Sequence, residues 1–188
     1  MQQDIKVRLL IVSGRSGSGK TSVANEMAQQ LRRRGISHAH IDGDNLDMTF
    51  PEDEGPSTML ANLKAMWTEY SRRGFSTLIL SGTAIALEFS LIKDVIESAT
   101  QLAHGGTDKS VSVDASAVIL TISDKEAHAR LSKREVGSEL AQLVASSDRM
   151  ALILPEKVSG DAAYFISTER RDVREIALHV LNRFNWLG

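Results

Sequence analysis

The chain has 188 residues, of which 42% are hydrophobic and 24% are charged, and its formal net charge is −2. This is the composition of an ordinary globular protein, which excludes a disordered or collagen-like chain, and the length favours a single domain. The sequence contains no cysteine, which excludes disulfides, cysteine-ligated metals and thiol catalysis.

Five short apolar segments are predicted to be β-strands, because brief apolar runs that end in turn residues are typical of strands buried on both faces. They are residues 7–12, 36–41, 75–80, 117–122 and 164–166. Segments with apolar residues at helical spacing alternate with them. These are residues 20–34, 58–73, 88–99, a helix that begins after residue 123, then 138–150 and 172–184.

Three further patterns refine this assignment. Residues 104–116 contain two adjacent glycines and mixed polar residues, so we predict a loop there. Ser123 and Glu126 have the spacing of a capping box, and Asp172 is placed to cap the last helix. The alternation of strands and helices predicts a parallel sheet with helices on both faces, in which ligands bind beyond the carboxyl ends of the strands.

No apolar run reaches the ~18 residues of a membrane span. The N-terminus carries Asp4 where a signal peptide needs basic charge. We therefore expect a cytoplasmic protein with no membrane contact. The balance of 22 basic and 24 acidic residues argues against nucleic acid as a partner.

Residues 14–21 read GRSGSGKT and match the phosphate-loop pattern G-x-x-x-x-G-K-[ST], between a predicted strand and a predicted helix. Glycines let backbone N–H groups surround phosphate oxygens, and the helix N-terminus adds partial positive charge. The lysine reaches the β- and γ-phosphates, and the threonine hydroxyl holds Mg²⁺. The predicted nucleotide-binding residues here are Gly14, Ser16, Gly17, Ser18, Gly19, Lys20 and Thr21.

Two aspartates, Asp42 and Asp44, follow the second predicted strand. A phosphoryl-transfer site needs one anion beside Mg²⁺ and a base or orienting group for the attacking hydroxyl. A polar turn is the alternative, since Asp-Gly and Asp-Asn are common turn pairs. His38 and His40 share a strand face with Asp42, which leaves a separate metal site as a further alternative.

The chain resembles small P-loop kinases over most of its length. The phosphate loop is the variant found in that group, and residues 42–45 (DGDN) resemble the same segment of adenylylsulfate kinases. Residues 130–135 (RLSKRE) resemble the lid of gluconate- and shikimate-type kinases, and residues 167–177 resemble the last loop and helix of these kinases. The resemblance implies a three-layer α/β P-loop kinase fold, with a five-stranded parallel sheet in one domain over residues 1–188 and a lid at about residues 125–150.

The resemblance also implies roles for individual residues. Asp42 and Thr21 would serve the metal, and Asp44 would position the acceptor. Lys20, Asp44 and Arg134 would be catalytic, with Arg134 as the lid residue on the phosphates. Arg130 and Thr168 would contact the nucleotide. The alternative for the two arginines is a pair of solvated helix charges.

These features together predict an ATP- and Mg²⁺-dependent phosphotransferase that acts on a hydroxyl of a small metabolite or nucleoside-like acceptor. The acceptor pocket is expected within residues 52–60, residues 81–88 and the lid. The Ile-Ser-Pro of adenylylsulfate kinases is replaced by residues 81–83 (SGT), which indicates a different acceptor. The other open alternatives are an ATP-binding regulatory protein without transfer activity and a nucleic-acid end kinase.

Overall fold

The computed structural model describes residues 4–105, 110–134, 140–158 and 163–187. Five parallel strands form one sheet with the order β2-β3-β1-β4-β5. The strands are β1 Ile5–Gly14, β2 Ala39–Asp42, β3 Thr77–Gly82, β4 Val111–Thr121 and β5 Ala163–Ser167. The helices are α1 Lys20–Arg33, α2 Ser57–Arg72, α3 Phe89–Ala103, α4 Asp124–Arg134, α5 Leu140–Lys157 and α6 Val173–Arg183.

The central strand β1 is buried on both faces, as its unbroken apolar run predicts. Leu9 and Ile11 contribute to the core that α2 and α3 cover. Leu10 and Val12 contribute to the opposite core, which α1 and α6 cover. The predicted three-layer fold with five parallel strands is therefore confirmed.

The predicted loop at residues 104–116 is wrong in its second half, because β4 begins at Val111. Residues 111–116 alternate between apolar and polar side chains, and they pair with the first half of β1 from Ile5 onward. The two glycines and the polar residues concealed this alternation. Residues 106–109 of the predicted loop lie outside the described residues.

Several element boundaries also differ from the prediction. The edge strand β2 is shorter than predicted, because Ile36 closes the turn after α1 by donating its amide to the Leu31 carbonyl at 3.0 Å. Helix α5 runs on to Lys157, and the predicted residues 138–139 lie outside the described part of the chain. None of the described helices is long and apolar enough to cross a membrane.

The two predicted helix caps have different outcomes. Asp172 caps α6, since its carboxylate accepts hydrogen bonds from the amides of Arg174 and Glu175. Ser123 donates its hydroxyl to Glu169 at 3.0 Å, and the capping box that it would form with Glu126 stays a prediction.

Candidate active site

The phosphate loop connects the end of β1 to the first turn of α1, and its backbone requires glycine at two points. Gly14 has φ 149°, and a Cβ there would lie 2.5 Å from the Leu120 carbonyl oxygen. Gly17 has φ 84°, and a Cβ there would lie 3.0 Å from the carbonyl oxygen of Ala127 in α4. The loop can therefore adopt this path, and lie this close to β4 and α4, only with glycine at these positions.

A cleft of about 210 Å³ lies over this loop. Its walls are the loop, the start of α1, the turns after β2 and β3, and one face of α4. Three cations line it, Lys20, Arg130 and Arg134. Most of the predicted site residues line this cleft, namely Ser16, Gly17, Gly19, Lys20, Thr21, Asp44, Arg130 and Arg134. A cationic cleft at a helix N-terminus fits a polyphosphate.

Lys20 is nearly buried, with 7% of its surface exposed. Its Nζ donates to the Arg15 carbonyl at 3.4 Å. Burial lowers the pKa of Lys20 below its usual 10.5, against the attraction of Asp44 and Asp42. Arg134 lowers the same pKa further, because two like charges face one cleft. A bound polyphosphate would relieve both the desolvation and the repulsion.

The two aspartates beyond β2 have different partners. The Asp42 carboxylate accepts from the Asp44 amide at 3.2 Å and lies 3.5 Å from the Thr21 hydroxyl. The Asp44 carboxylate accepts from the Thr83 amide at 2.7 Å and from the Thr83 hydroxyl at 3.1 Å. The Thr21 and Asp42 oxygens form a donor set of the kind that Mg²⁺ prefers. Their geometry fits the predicted metal role, and Asp44 is held toward the cleft.

The two arginines of α4 line the cleft together with the phosphate loop. Arg130 donates to Glu126 at 3.2 Å and lies 3.4 Å from the Gly17 carbonyl oxygen. Arg134 lines the same cleft one turn further along the helix. The loop and α4 therefore form the two walls of the phosphate cleft.

Three residues predicted to bind nucleotide, Gly14, Ser18 and Thr168, are absent from the lining of this cleft. The Ser18 amide donates to the Arg15 carbonyl at 3.2 Å, and its hydroxyl is buried against Gly14. Thr168 is 3% exposed and donates its hydroxyl to the Ser18 carbonyl at 3.0 Å. Thr168 therefore braces the phosphate loop, and its predicted contact with the nucleotide stays a prediction.

The alternative metal site at His38, His40 and Asp42 does not form. His40 is bonded to the Ser81 hydroxyl at 3.2 Å, and burial lowers its pKa. His38 is bonded to the Ile36 carbonyl at 2.8 Å. Within residues 4–105, 110–134, 140–158 and 163–187, no group of three His, Cys, Asp or Glu side chains could hold a metal ion.

A second cleft of about 270 Å³ adjoins the first and shares Asp44 and Thr83 with it. Apolar Met59 and Ile85 line one part of it. Its described lining also carries the carboxylates of Asp44, Asp47 and Glu88, and no Lys, Arg or His. Parts of the segments 52–60 and 81–88, where the sequence predicts the acceptor pocket, line this cleft. Asp47 also lines it and was not predicted.

The family described as adenylylsulphate kinase matches residues 6–89, which covers the phosphate loop, both aspartates and Thr83. Many solved structures share the architecture. A gluconokinase from Sinorhizobium meliloti 1021 has a TM-score of 0.58 at 17% identity, and the alignment covers 97% of this chain and 95% of that one. The chain has the P-loop kinase fold.

Two further structures agree with this assignment. A sugar kinase from Janibacter sp. HTCC2649 has a TM-score of 0.58 at 19% identity, with 95% of each chain covered. The shikimate kinase from Acinetobacter baumannii, solved with shikimate, has a TM-score of 0.56 at 14% identity, with 96% of this chain and 94% of that one covered. No curated protein sequence matches significantly. The predicted resemblance to the P-loop kinases is confirmed, and these findings support the prediction of a kinase.

Proposed function

We propose that this P-loop protein transfers the γ-phosphoryl group of ATP to a hydroxyl group of a small acceptor. The observation that carries the proposal is the position of Asp44, at the junction of a cationic cleft over the phosphate loop and an acidic cleft beside it. A phosphotransferase needs this arrangement, because the reacting hydroxyl must meet the terminal phosphate at the boundary between two binding sites.

Each group has a distinct task in this proposal. The loop and Lys20 hold the β- and γ-phosphates, and Arg130 and Arg134 stabilise the charge that spreads over the transferring group. Asp44 accepts a hydrogen bond from the acceptor hydroxyl and receives its proton as the oxygen attacks phosphorus. Thr21 and Asp42 would hold Mg²⁺, which supplies neutralisation of phosphate charge when bound.

The second cleft supports a restriction on the acceptor. Asp44, Asp47 and Glu88 would repel an anion there, and the described lining offers no cation in compensation. Gluconate, shikimate and adenylylsulfate are all anions. We propose instead a neutral or cationic hydroxyl compound, such as a polyol, a nucleoside or an amino alcohol, with an apolar face toward Met59 and Ile85.

The test is acceptor-dependent release of ADP across matched panels of neutral, cationic and anionic hydroxyl compounds. We expect a neutral or cationic compound to stimulate ADP release. The stimulation should be strongly reduced in Lys20→Ala and in Asp44→Asn. Asp94→Asn, on the exposed surface of α3, is the matched control and should behave as wild type. Tight ATP binding with no acceptor dependence and no effect of Asp44→Asn would favour the regulatory alternative. Salt-sensitive binding to oligonucleotides would favour the end-kinase alternative.

A further inference from the structure

Arg15 belongs to the phosphate loop by sequence, but its side chain turns away from the phosphate cleft. The residue is 3% exposed and is absent from the cleft lining. Its Nε donates to the Ser147 hydroxyl at 2.9 Å, and its two terminal nitrogens form ion pairs with Asp124 and Asp148. One buried guanidinium therefore joins the back of the loop to the start of α4 and to α5.

A second contact reinforces this junction. Ser147 donates its hydroxyl to the Ser16 carbonyl at 2.9 Å, so α5 is bonded to two consecutive loop residues. The buried residues of the 18-residue helix α5 are Ser147 and Leu154. Leu154 packs into the apolar core, and Ser147 joins α5 to the loop through this polar cluster.

The stability of the fold does not by itself account for a buried arginine here. Removing a guanidinium from water costs several kcal/mol, and well-packed apolar residues often replace buried ion pairs without loss of stability. A guanidinium does offer a planar set of donors that fixes the direction of each partner. The cluster is therefore suited to setting a geometry.

The geometry that it sets includes the cationic wall of the phosphate cleft. Asp124 is the first residue of α4, and Asp148 also accepts a hydrogen bond from His128, one turn further along α4. Arg130 and Arg134 follow on the same helix. Because a helix of this length moves as a rigid element, a shift at its first turn displaces both arginines.

We infer that Arg15 is a positioning residue, which acts from behind the phosphate loop and places the arginines of α4 over the phosphates. The inference rests on the proposed function for the binding role of Arg130 and Arg134. The Arg15 side chain does not line the phosphate cleft. Arg15 acts through α4. Its replacement should therefore remove the contribution that Arg134 makes to ATP affinity.

The test is a double-mutant cycle on ATP affinity, measured by calorimetry with Arg15→Met, Arg134→Ala and the double variant. We expect Arg15→Met to weaken ATP binding by about tenfold, and Arg134→Ala to weaken it further by less than about twofold in that background, because coupled residues are non-additive. Arg32→Met, at the exposed end of α1, is the control and should bind ATP as wild type. If the fold-losses in ATP affinity of the two single variants multiply in the double variant, the inference is overturned. An Arg15→Met protein that binds ATP with wild-type affinity would overturn it as well.

Two additions keep the outcome decisive. If Arg15→Met does not fold, the same cycle is run with Asp124→Asn, since the Asp124 side chain is 73% exposed and its change leaves the guanidinium in place. Hydrogen exchange of α4 amides should rise in either variant. The cycle uses ATP alone, so wild type that binds ATP but shows no acceptor-dependent turnover would contradict the proposed function while the cycle still decides the role of Arg15.

Discussion

Asp44 and Thr83 lie 39 residues apart in the chain, and Thr83 holds both carboxylate oxygens of Asp44. The amide donates to one oxygen at 2.7 Å and the hydroxyl to the other at 3.1 Å. Parallel pairing of β2 and β3 brings the two residues together, with Asp42 opposite Ser81 in the register. A carboxylate held at both oxygens keeps one orientation toward the cleft, as a group that receives a proton must.

Replacement of Asp44 by Asn should lower kcat by about 10²–10⁴-fold with little change in ATP affinity, because the amide keeps the shape but cannot take the proton. Thr83→Val keeps the backbone donor and removes the hydroxyl, so we expect a smaller loss of kcat, about tenfold, from a less ordered carboxylate. Steady-state kinetics with calorimetry of ATP binding separates the two effects. Equal losses in ATP affinity and kcat would contradict the assignment of Asp44 to the acceptor side.

Lys20 carries a stability cost that should be visible without ligand. Burial lowers its pKa below 10.5, so between the folded pKa and 10.5 the unfolded chain binds more protons, and stability rises with pH. Below the folded pKa, Lys20 is charged in both the folded and the unfolded state, and the full cost of burying its charge remains. We therefore expect Lys20→Met to unfold at higher denaturant than wild type near pH 7 and to lose ATP binding.

The difference in unfolding free energy between Lys20→Met and wild type should narrow as the pH rises toward 10.5. Denaturant titrations at several pH values check this. Lys125→Met, on the exposed first turn of α4, is the control for loss of a lysine charge. A variant less stable than wild type at every pH would show that Lys20 stabilises the unliganded fold.

The phosphate loop could be predicted from the sequence because all of its parts are contiguous and much of its chemistry belongs to the backbone. The role of Arg15 could not, since its partners Asp124 and Asp148 lie 109 and 133 residues away. Within the motif it occupies a position where any residue is allowed. The Asp44–Thr83 pair depends on sheet order, which a list of strands leaves open.

The misplaced start of β4 has a related cause. Residues 111–116 alternate between apolar and polar side chains. This alternation indicates a strand only if β1 begins early enough in the chain to pair with these residues. The Ile5 to Val111 pairing places Val113 toward the core and Asp114 toward solvent. Local composition favoured a loop, and tertiary pairing made a strand.

The ion pairs behind the loop should make stability sensitive to acid. The hydrogen bond from His128, followed by that from Arg15, lowers the pKa of the Asp148 carboxyl below its usual 3.8. A lowered carboxyl pKa stabilises the fold above the unfolded value, and this contribution is lost as the pH falls through the folded pKa.

Wild type should therefore be more stable than Asp148→Asn at neutral pH. The difference should begin to shrink as the pH falls below 3.8 and should be lost as the pH falls through the folded pKa of Asp148. Thermal or denaturant unfolding of both proteins from pH 7 to pH 2 checks this. Asp94→Asn serves again as the exposed control. A difference that stayed constant down to pH 2 would show that the carboxylate charge is not what Asp148 contributes.

The charge of the second cleft should decide which acceptors are used. Asp47 is exposed in this cleft, so Asp47→Lys reverses a charge there without disturbing buried contacts. We expect this variant to lower the KM for anionic hydroxyl compounds by about tenfold at low salt, and to change the KM for neutral ones by less than about threefold, since only a charged acceptor feels the reversal.

Asp94→Lys makes the same change in net charge away from the cleft and should alter neither KM. The effect should fade as salt is raised. Wild type that prefers an anionic acceptor, or an Asp47→Lys protein with unchanged preferences, would place the acceptor elsewhere.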